Sequence, residues 1–223
     1  MDVLYEDNHI IAVNKKPGDI TQGDKTGDEP LSEKVKKFIK KRDKKPGNVF
    51  LGTVHRLDRP VSGVIIFAKT SKSLQRLNKM FQNKQIQKTY WARCTNPPTI
   101  DHQKLVHFLV KDSKKNKTKA HTKEVACGKK SELTYTYLRK NEIQNLIEIK
   151  PLTGRPHQIR VQLSSIGCSI IGDLKYGAPS ANVDKSICLH AKKIEFIHPV
   201  SKENLIITAP LPLKIWKSCN NMK

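Results

Sequence analysis

Apolar and polar positions along the chain follow two periods, and the places where one gives way to the other mark the elements. Val3–Tyr5 and His9–Asn14 flank the turn residues Asp7-Asn8, which predicts an opening hairpin closed off by Lys16-Pro17-Gly18. Residues 18–30 form a polar Gly/Asp loop. Leu31, Val35, Phe38 and Ile39 then recur at helical spacing behind Pro30, and the opposite face carries Lys34, Lys36, Lys37, Lys40 and Lys41. Val61–Thr70 reads as a strand feeding a helix over Ser71–Lys84, capped by Ser71 or Thr70, with Leu74, Leu77 and Phe81 as its buried stripe. Ile86–Thr95 is a strand that carries Lys88-Thr89-Tyr90. Residues 111–131, rich in Lys, Asn and Ser, predict a mobile loop with a strand inside. Leu133–Leu138 and Ile143–Lys150 form a further hairpin. A short helix follows from Pro156 to Ile166, with Pro156 at its first position and Gly167 as its stop. Ile187–Phe196 and Leu205–Ala209 close the sheet around the turn residues 198–204. Strands outnumber helices and fall in hairpins, so the expected class is α+β, with a largely antiparallel mixed sheet flanked by helices and loops.

Length and composition narrow the class further. A chain of 223 residues fits a single domain spanning 1–223, with the last ten or so residues expected as a tail. No stretch approaches the roughly 20 apolar residues of a membrane span. The first residues, MDVLYEDNHIIAVNKK, lack the basic and apolar regions of a secretory signal, so the expected location is cytoplasmic. Cys94, Cys127, Cys168, Cys188 and Cys219 are widely spaced and odd in number, and no CxxC or HExxH pattern occurs. Free thiols are expected, with neither disulfides nor zinc. The net charge of +22, from 42 Lys plus Arg against 20 Asp plus Glu, points to a polyanionic partner. Lysine supplies 34 of the basic residues and arginine only 8. Four of those arginines, Arg56, Arg59, Arg155 and Arg160, fall in two short segments, where the planar guanidinium fork is the feature that a lysine would not supply.

Those segments hold the candidate chemistry. Residues 55–63 read HRLDRPVSG, so a single carboxylate, Asp58, sits between two arginines just ahead of the apolar run Val64–Ala68. An acid placed where phosphates must come is costly unless its charge does chemistry. The bland reading makes it a turn cap before a strand. The second segment, 152–177, reads LTGRPHQIRVQLSSIGCSIIGDLKYG. On its helix Ile159, Leu163 and Ile166 share one face and His157, Arg160 and Ser164 another, which by itself fits a surface helix with solvated charges.

Taken together, the segments resemble the RluA class of pseudouridine synthases. HRLDRPVSG, Lys88-Thr89-Tyr90, LTGRPHQIR at 152–160, GDLKYG at 172–177 and Leu189-His190-Ala191 occur in that family's order, with VNKKPG at 13–18 ahead of them. The resemblance covers roughly residues 1–210, begins at the catalytic domain and leaves out the RNA-binding S4 domain of some relatives. It implies that Asp58 is the essential carboxylate, that Tyr90 stacks on the target base and that Arg160 pairs with Asp58. It implies that Arg56 helps to extrude the nucleotide, and it sets His55, Arg155, His157, Gln158 and Leu189 around the substrate. His55 and His157 read as structural hydrogen-bonders rather than general bases. Of the strand neighbours Tyr90 and Trp91, it assigns Trp91 to the core. Gln162 departs from the family's usual His, and VNKKPG carries an extra Lys expected only to shift the loop.

The implied reaction turns uridine of rRNA or tRNA into pseudouridine. It breaks N1–C1′, rotates the uracil and joins C5 to C1′, which calls for no cofactor, metal or redox step. One ionised carboxylate either attacks C1′ or removes the C2′ proton, and the sequence leaves both routes open. Arg160 beside Asp58 would favour the ionised form. Tyr90 offers a π-face for the loosened base, and a guanidinium such as Arg56 fills the stack vacated on flipping. The lysine runs at 34–45 and 111–123 would add non-specific RNA affinity. The expected partner is RNA, with a monomeric enzyme. A non-catalytic RNA-binding or ribosome-assembly protein on the same fold is the alternative. A glycosylase would need an activated water or a second acid, and no second paired carboxylate is evident.

Overall fold

The structure, a computed structural model, describes residues 1–23, 27–138, 143–212 and 216. In chain order the elements are β1 (Val3–Glu6), β2 (Ile10–Lys15), α1 (Leu31–Arg42), β3 (Gly52–Thr53), β4 (Ser62–Ala68), α2 (Ser71–Gln82), β5 (Gln87–Arg93), β6 (His102–Asp112), β7 (Lys117–His121), β8 (Lys129–Tyr137), β9 (Leu146–Pro151), α3 (Gln158–Ser165), a 3-10 turn (Leu174–Tyr176), β10 (Leu189–Ile197) and β11 (Asn204–Thr208). The class is α+β, and the chain folds as two compact units. One comprises Met1–Ile86 with Ala191–Pro210, the other Gln87–His190 with the described residues from Leu211 onward.

In the first unit the strand order is β1-β2-β4-β10, with β11 on β10 and β3 on β4. The β1–β2 hairpin forms where the pattern puts it, because the Asp7 carboxylate accepts the N–H groups of His9 and Ile10 at 2.7 Å each and closes the turn. Every residue of β4 is buried, so its apolar side chains run continuously instead of alternating. α1 buries Leu31, Val35 and Ile39. α2 starts where Thr70 accepts the Ser73 N–H through its hydroxyl, at 3.1 Å; Ser73 and Leu77 are its buried residues, and Leu74 and Phe81 of the expected stripe are partly exposed. Gly63 has φ +116°, and a β-carbon there would stand 2.3 Å from the Ala191 carbonyl oxygen. Only glycine lets the SG of HRLDRPVSG meet the backbone of β10 so closely.

In the second unit β5-β9-β8-β6-β7 form one antiparallel run. Residues 111–131, expected as a loop with one strand inside, instead complete a β6–β7 hairpin and lead into β8. The lysines hid this pattern. In β7 they alternate with Thr118, which is buried, and Ala120, which packs against Leu109, Val161 and Tyr176. α3 begins at Gln158, so Pro156 lies before the helix rather than at its first position. His157 takes the capping place in a left-handed conformation, φ 55°. Gly167 follows the helix at φ +78°, as its stop requires. The bland reading of a solvated face fails at Arg160, which is buried with the rest of Gln158–Leu163, while His157 and Ser164 are partly exposed. The expected tail falls mostly outside the described residues, as does Cys219, but Trp216 is described and buried and its carbonyl accepts Arg93 Nη1 at 2.6 Å.

Candidate active site

Asp58 lies on the irregular segment between β3 and β4, half-buried, where its carbonyl accepts the Val61 N–H at 3.0 Å and closes a turn over Arg59-Pro60. That turn is held from several sides. Gly18 N–H donates to the Arg59 carbonyl at 2.9 Å, and the Thr21 hydroxyl exchanges hydrogen bonds with both the N–H and the carbonyl of Leu57 at 3.3 Å. Beneath it lies Lys15, with no exposed surface. Its Nζ donates to the carbonyls of Lys16, Arg59 and Val61 at 3.1, 3.1 and 2.8 Å. Burial pulls the Lys15 ammonium down to about 8, against the opposing charges of Asp19 and Asp58. The doubled lysine of VNKKPG therefore divides its work: Lys16 is exposed, and Lys15 is a structural cation under the Asp58 turn. Three carbonyls converge on one ammonium, which matches its three donors. Sequence reasoning missed this, and the only signal was a lysine closing a strand of buried residues.

His55 and Arg56 belong to the same unit. His55 Nε2 accepts the Ile66 N–H at 3.0 Å, and its ring stacks on Phe81 at 5.1 Å between centroids. The histidine is thus a structural hydrogen-bonder at this nitrogen. Arg56 is exposed, and Arg59 pairs with Asp28.

The second unit carries Tyr90, Arg155, His157, Gln158, Arg160 and Leu189. Tyr90 lies on β5 opposite Ile149 of β9. Both it and Trp91 are partly exposed, while Thr89, Ala92 and Arg93 are buried, so Trp91 is not the core residue expected. Its indole N–H reaches Glu148 at 3.4 Å instead. Leu189 is buried at the start of β10. Arg155 is exposed. Gln158 is buried and staples the Thr-Gly-Arg loop. Its Oε1 accepts the Thr153 hydroxyl at 2.8 Å and the Arg155 N–H at 3.0 Å, and its Nε2 donates to the Glu132 carbonyl at 3.0 Å.

Arg160 is buried, and its Nε and Nη2 donate to the two oxygens of Asp173 at 2.7 and 2.8 Å. This two-point bond fixes the plane of the guanidinium, which a lysine in its place would not reproduce. Asp173 belongs to GDLKYG, a motif legible in the sequence without a role for its acid. Gln162, the departure from the family pattern, is also buried and meets His107 Nδ1 at 3.0 Å, where it ties α3 to β6.

The family described as RNA pseudouridylate synthase matches residues 9–165, which include Asp58, Tyr90 and Arg160. The chain is 36% identical over 94% of its length to a protein of Buchnera aphidicola named ribosomal large subunit pseudouridine synthase C, of which it spans 66%. It is 30% identical over 99% of its length to the protein of that name from Vibrio cholerae, of which it spans 69%. The chain thus spans about two thirds of the length of these relatives. Among solved structures, human RNA pseudouridylate synthase domain containing 4 shares the fold, with a TM-score of 0.79 at 22% identity over 96% of this chain and 90% of that one. A family match over more than half of the residues, with its sequence signatures in order, leads to one conclusion: this chain belongs to the RNA pseudouridylate synthase family of isomerases.

Proposed function

We propose that the protein converts uridine to pseudouridine in rRNA or tRNA, with Asp58 as the catalytic carboxylate. The observation that carries this reading is the setting of Asp58. It is the one acid of the HRLDRPVSG signature, and its turn is held by Gly18, Thr21 and the buried Lys15. A group that must meet a sugar carbon at close range needs such a fixed support.

In the proposed reaction the N1–C1′ bond breaks, the uracil turns over, C5 bonds to C1′, and the C5 proton leaves as N1 gains one. Asp58 either attacks C1′ and is later displaced by C5, or takes the C2′ proton and returns it. Both routes use one ionised carboxylate, and neither changes the oxidation state or draws on a cofactor. Tyr90 stacks on the loosened base, and its hydroxyl takes the C5 proton as it passes its own to solvent. The planar guanidinium of Arg160 serves the carboxylate, and Arg56, exposed beside Asp58 in sequence, fills the place of the flipped nucleotide. The relatives' name refers to the large ribosomal subunit, which supports rRNA as the first substrate to examine. A monomer in the cytoplasm is part of the proposal. No helix among the described residues is long and apolar enough to cross a membrane.

Mapping pseudouridine in cellular RNA with and without this chain, and with its Asp58→Asn variant, tests the reading. Sites that appear with the wild type and vanish with Asp58→Asn are expected, while RNA affinity stays within a few-fold. Wild-type turnover by the variant would remove Asp58 from the chemistry and favour a binding protein.

A further inference from the structure

Tyr176 stands where three parts of the second unit meet, and the reaction as proposed gives it no part. It ends the 3-10 turn and is buried in a small cluster with Leu109 and Val161, to which Ala120 is added from β7. That cluster needs an aromatic ring but not a hydroxyl. The hydroxyl is nevertheless fully used. It accepts the Thr118 N–H of β7 at 2.8 Å and meets His157 Nδ1 at 2.8 Å. The tautomer of His157 sets which of the two groups donates in this contact, and in either case the hydroxyl holds the imidazole.

His157 is the residue whose backbone needs help. It sits at φ 55° and ψ 19° at the start of α3, a region that a side chain with a β-carbon enters only when its surroundings hold it there. Its side chain makes no cap bond to the helix. The Tyr176 hydroxyl anchors it from the other side. The same tyrosine offers its ring to two cations, with Arg160 Cζ 5.0 Å and Lys117 Nζ 5.8 Å from the centroid. Asp173, which grips the Arg160 fork, lies three residues earlier, and its carbonyl accepts the Tyr176 N–H at 3.0 Å. The Thr118 hydroxyl also donates to the Pro156 carbonyl at 3.1 Å, so β7 is tied to the entrance of α3 twice.

We propose that Tyr176 is a positioning residue for the isomerisation: through His157 and the Arg160 guanidinium it sets the start of α3, and it links that setting to the lysine-bearing β6–β7 hairpin. This rests on the reading of Arg160 as a site residue. Bound RNA that engages the hairpin lysines would be felt at Arg160 through a single buried side chain.

The test is single-turnover kinetics at saturating RNA, with dissociation constants and thermal melts measured on the same samples. Tyr176→Phe keeps the ring and removes both hydroxyl bonds. It is expected to slow the reaction by about tenfold, within the range a slight misplacement costs, with RNA affinity changed less than about twofold. His157→Ala cuts the same link from the other side and is expected to slow it similarly. The double variant should be no slower than the slower single one, because both changes break one connection. Wild-type rates at saturating RNA for Tyr176→Phe would overturn the proposal, as would slowdowns that multiply in the double variant. If Tyr176→Phe does not fold, an unimpaired His157→Ala overturns it equally. Wild type and Asp58→Asn are run alongside. A wild type without activity sinks the assignment of the reaction, whereas an active wild type matched by Tyr176→Phe sinks only the role of Tyr176.

Discussion

Lys15 carries its charge to a position without exposed surface, and three backbone carbonyls receive it. Lys15→Met keeps the length and removes the donors. The carbonyls of Arg59 and Lys16 keep the N–H groups of Gly18 and Asp19, so the loss falls mainly on Val61, and urea denaturation should show a loss of about 1–3 kcal/mol. Turnover should fall further than RNA affinity, because the turn that loosens is that of Asp58. The pH dependence has a definite sign. The folded value of about 8 lies below the unfolded 10.5, so between them the unfolded chain holds the proton that the folded chain has released. The Lys15 contribution to stability is therefore least favourable below about 8 and improves as pH rises toward 10.5. Wild type should gain stability relative to Lys15→Met across that window. Gly63 gives the sharper steric test. A β-carbon 2.3 Å from a backbone oxygen, at φ +116°, has no flexible neighbour to push aside. Gly63→Ala should lose more than about 4 kcal/mol or fail to accumulate as folded protein.

At the scale of elements, ion pairs tie the ends of β1 and α1. Glu6, the last residue of β1, accepts both Arg42 Nη1 and Nη2 from the end of α1, and Lys69 Nζ at 2.6 Å. Hydrogen bonding to Arg42 brings the Glu6 carboxyl down to about 2, with Lys69 adding to it against the effect of burial. A depressed carboxylate stabilises the fold above its unfolded value of 4.5 and loses that contribution as pH falls toward 2. Acid titration of Glu6→Gln should therefore show a shallower loss of stability than wild type between pH 4.5 and 2. α3 makes the complementary point. Its charge is buried rather than solvated, and removing one partner of such a pair costs about 3–5 kcal/mol. Arg160→Lys retains the charge and loses the two-point bond to Asp173, so it should cost far more turnover than any single lysine change on α1.

For the whole molecule, the net charge of +22 is unevenly available. Of the two lysine-rich faces expected to meet RNA, that of α1 is answered at its first three lysines, while Lys40 and Lys41 are exposed and form no ion pair among the described residues. Lys34 pairs with Asp19, Lys36 with Glu33, Lys37 with Glu29, and Arg42 with Glu6 and Asp43. On the β6–β7 hairpin, Lys111, Lys114, Lys115 and Lys119 are exposed and form no ion pair among the described residues. Replacing these four with Gln should lower RNA affinity and reduce the slope of log K against log salt by up to about 3, at roughly 0.7–0.9 for each phosphate that is no longer neutralised. The same treatment of Lys34, Lys36 and Lys37 should change the slope much less. Equal slopes from both sets would show that the ion pairs of α1 open when RNA arrives.

Sequence alone determined the α+β class, the hairpins, the helix after Thr70 and the segments that carry Asp58, Tyr90 and Arg160. Those features depend on neighbours a few residues apart: a period of two, a period near four, an Asp that closes a turn, a threonine that caps a helix. Tertiary structure decided what depends on distant partners. It turned a lysine-rich stretch into a hairpin, because Thr118 and Ala120 found cover on Leu109, Val161 and Tyr176. It left Trp91 partly exposed where the family resemblance had put it in the core. It gave Arg160 the acid Asp173, and it gave Lys15 the carbonyls of residues 59 and 61, more than forty positions away. The physical reason is that a buried polar group must find a partner wherever the chain brings one, and no local period records where that will be.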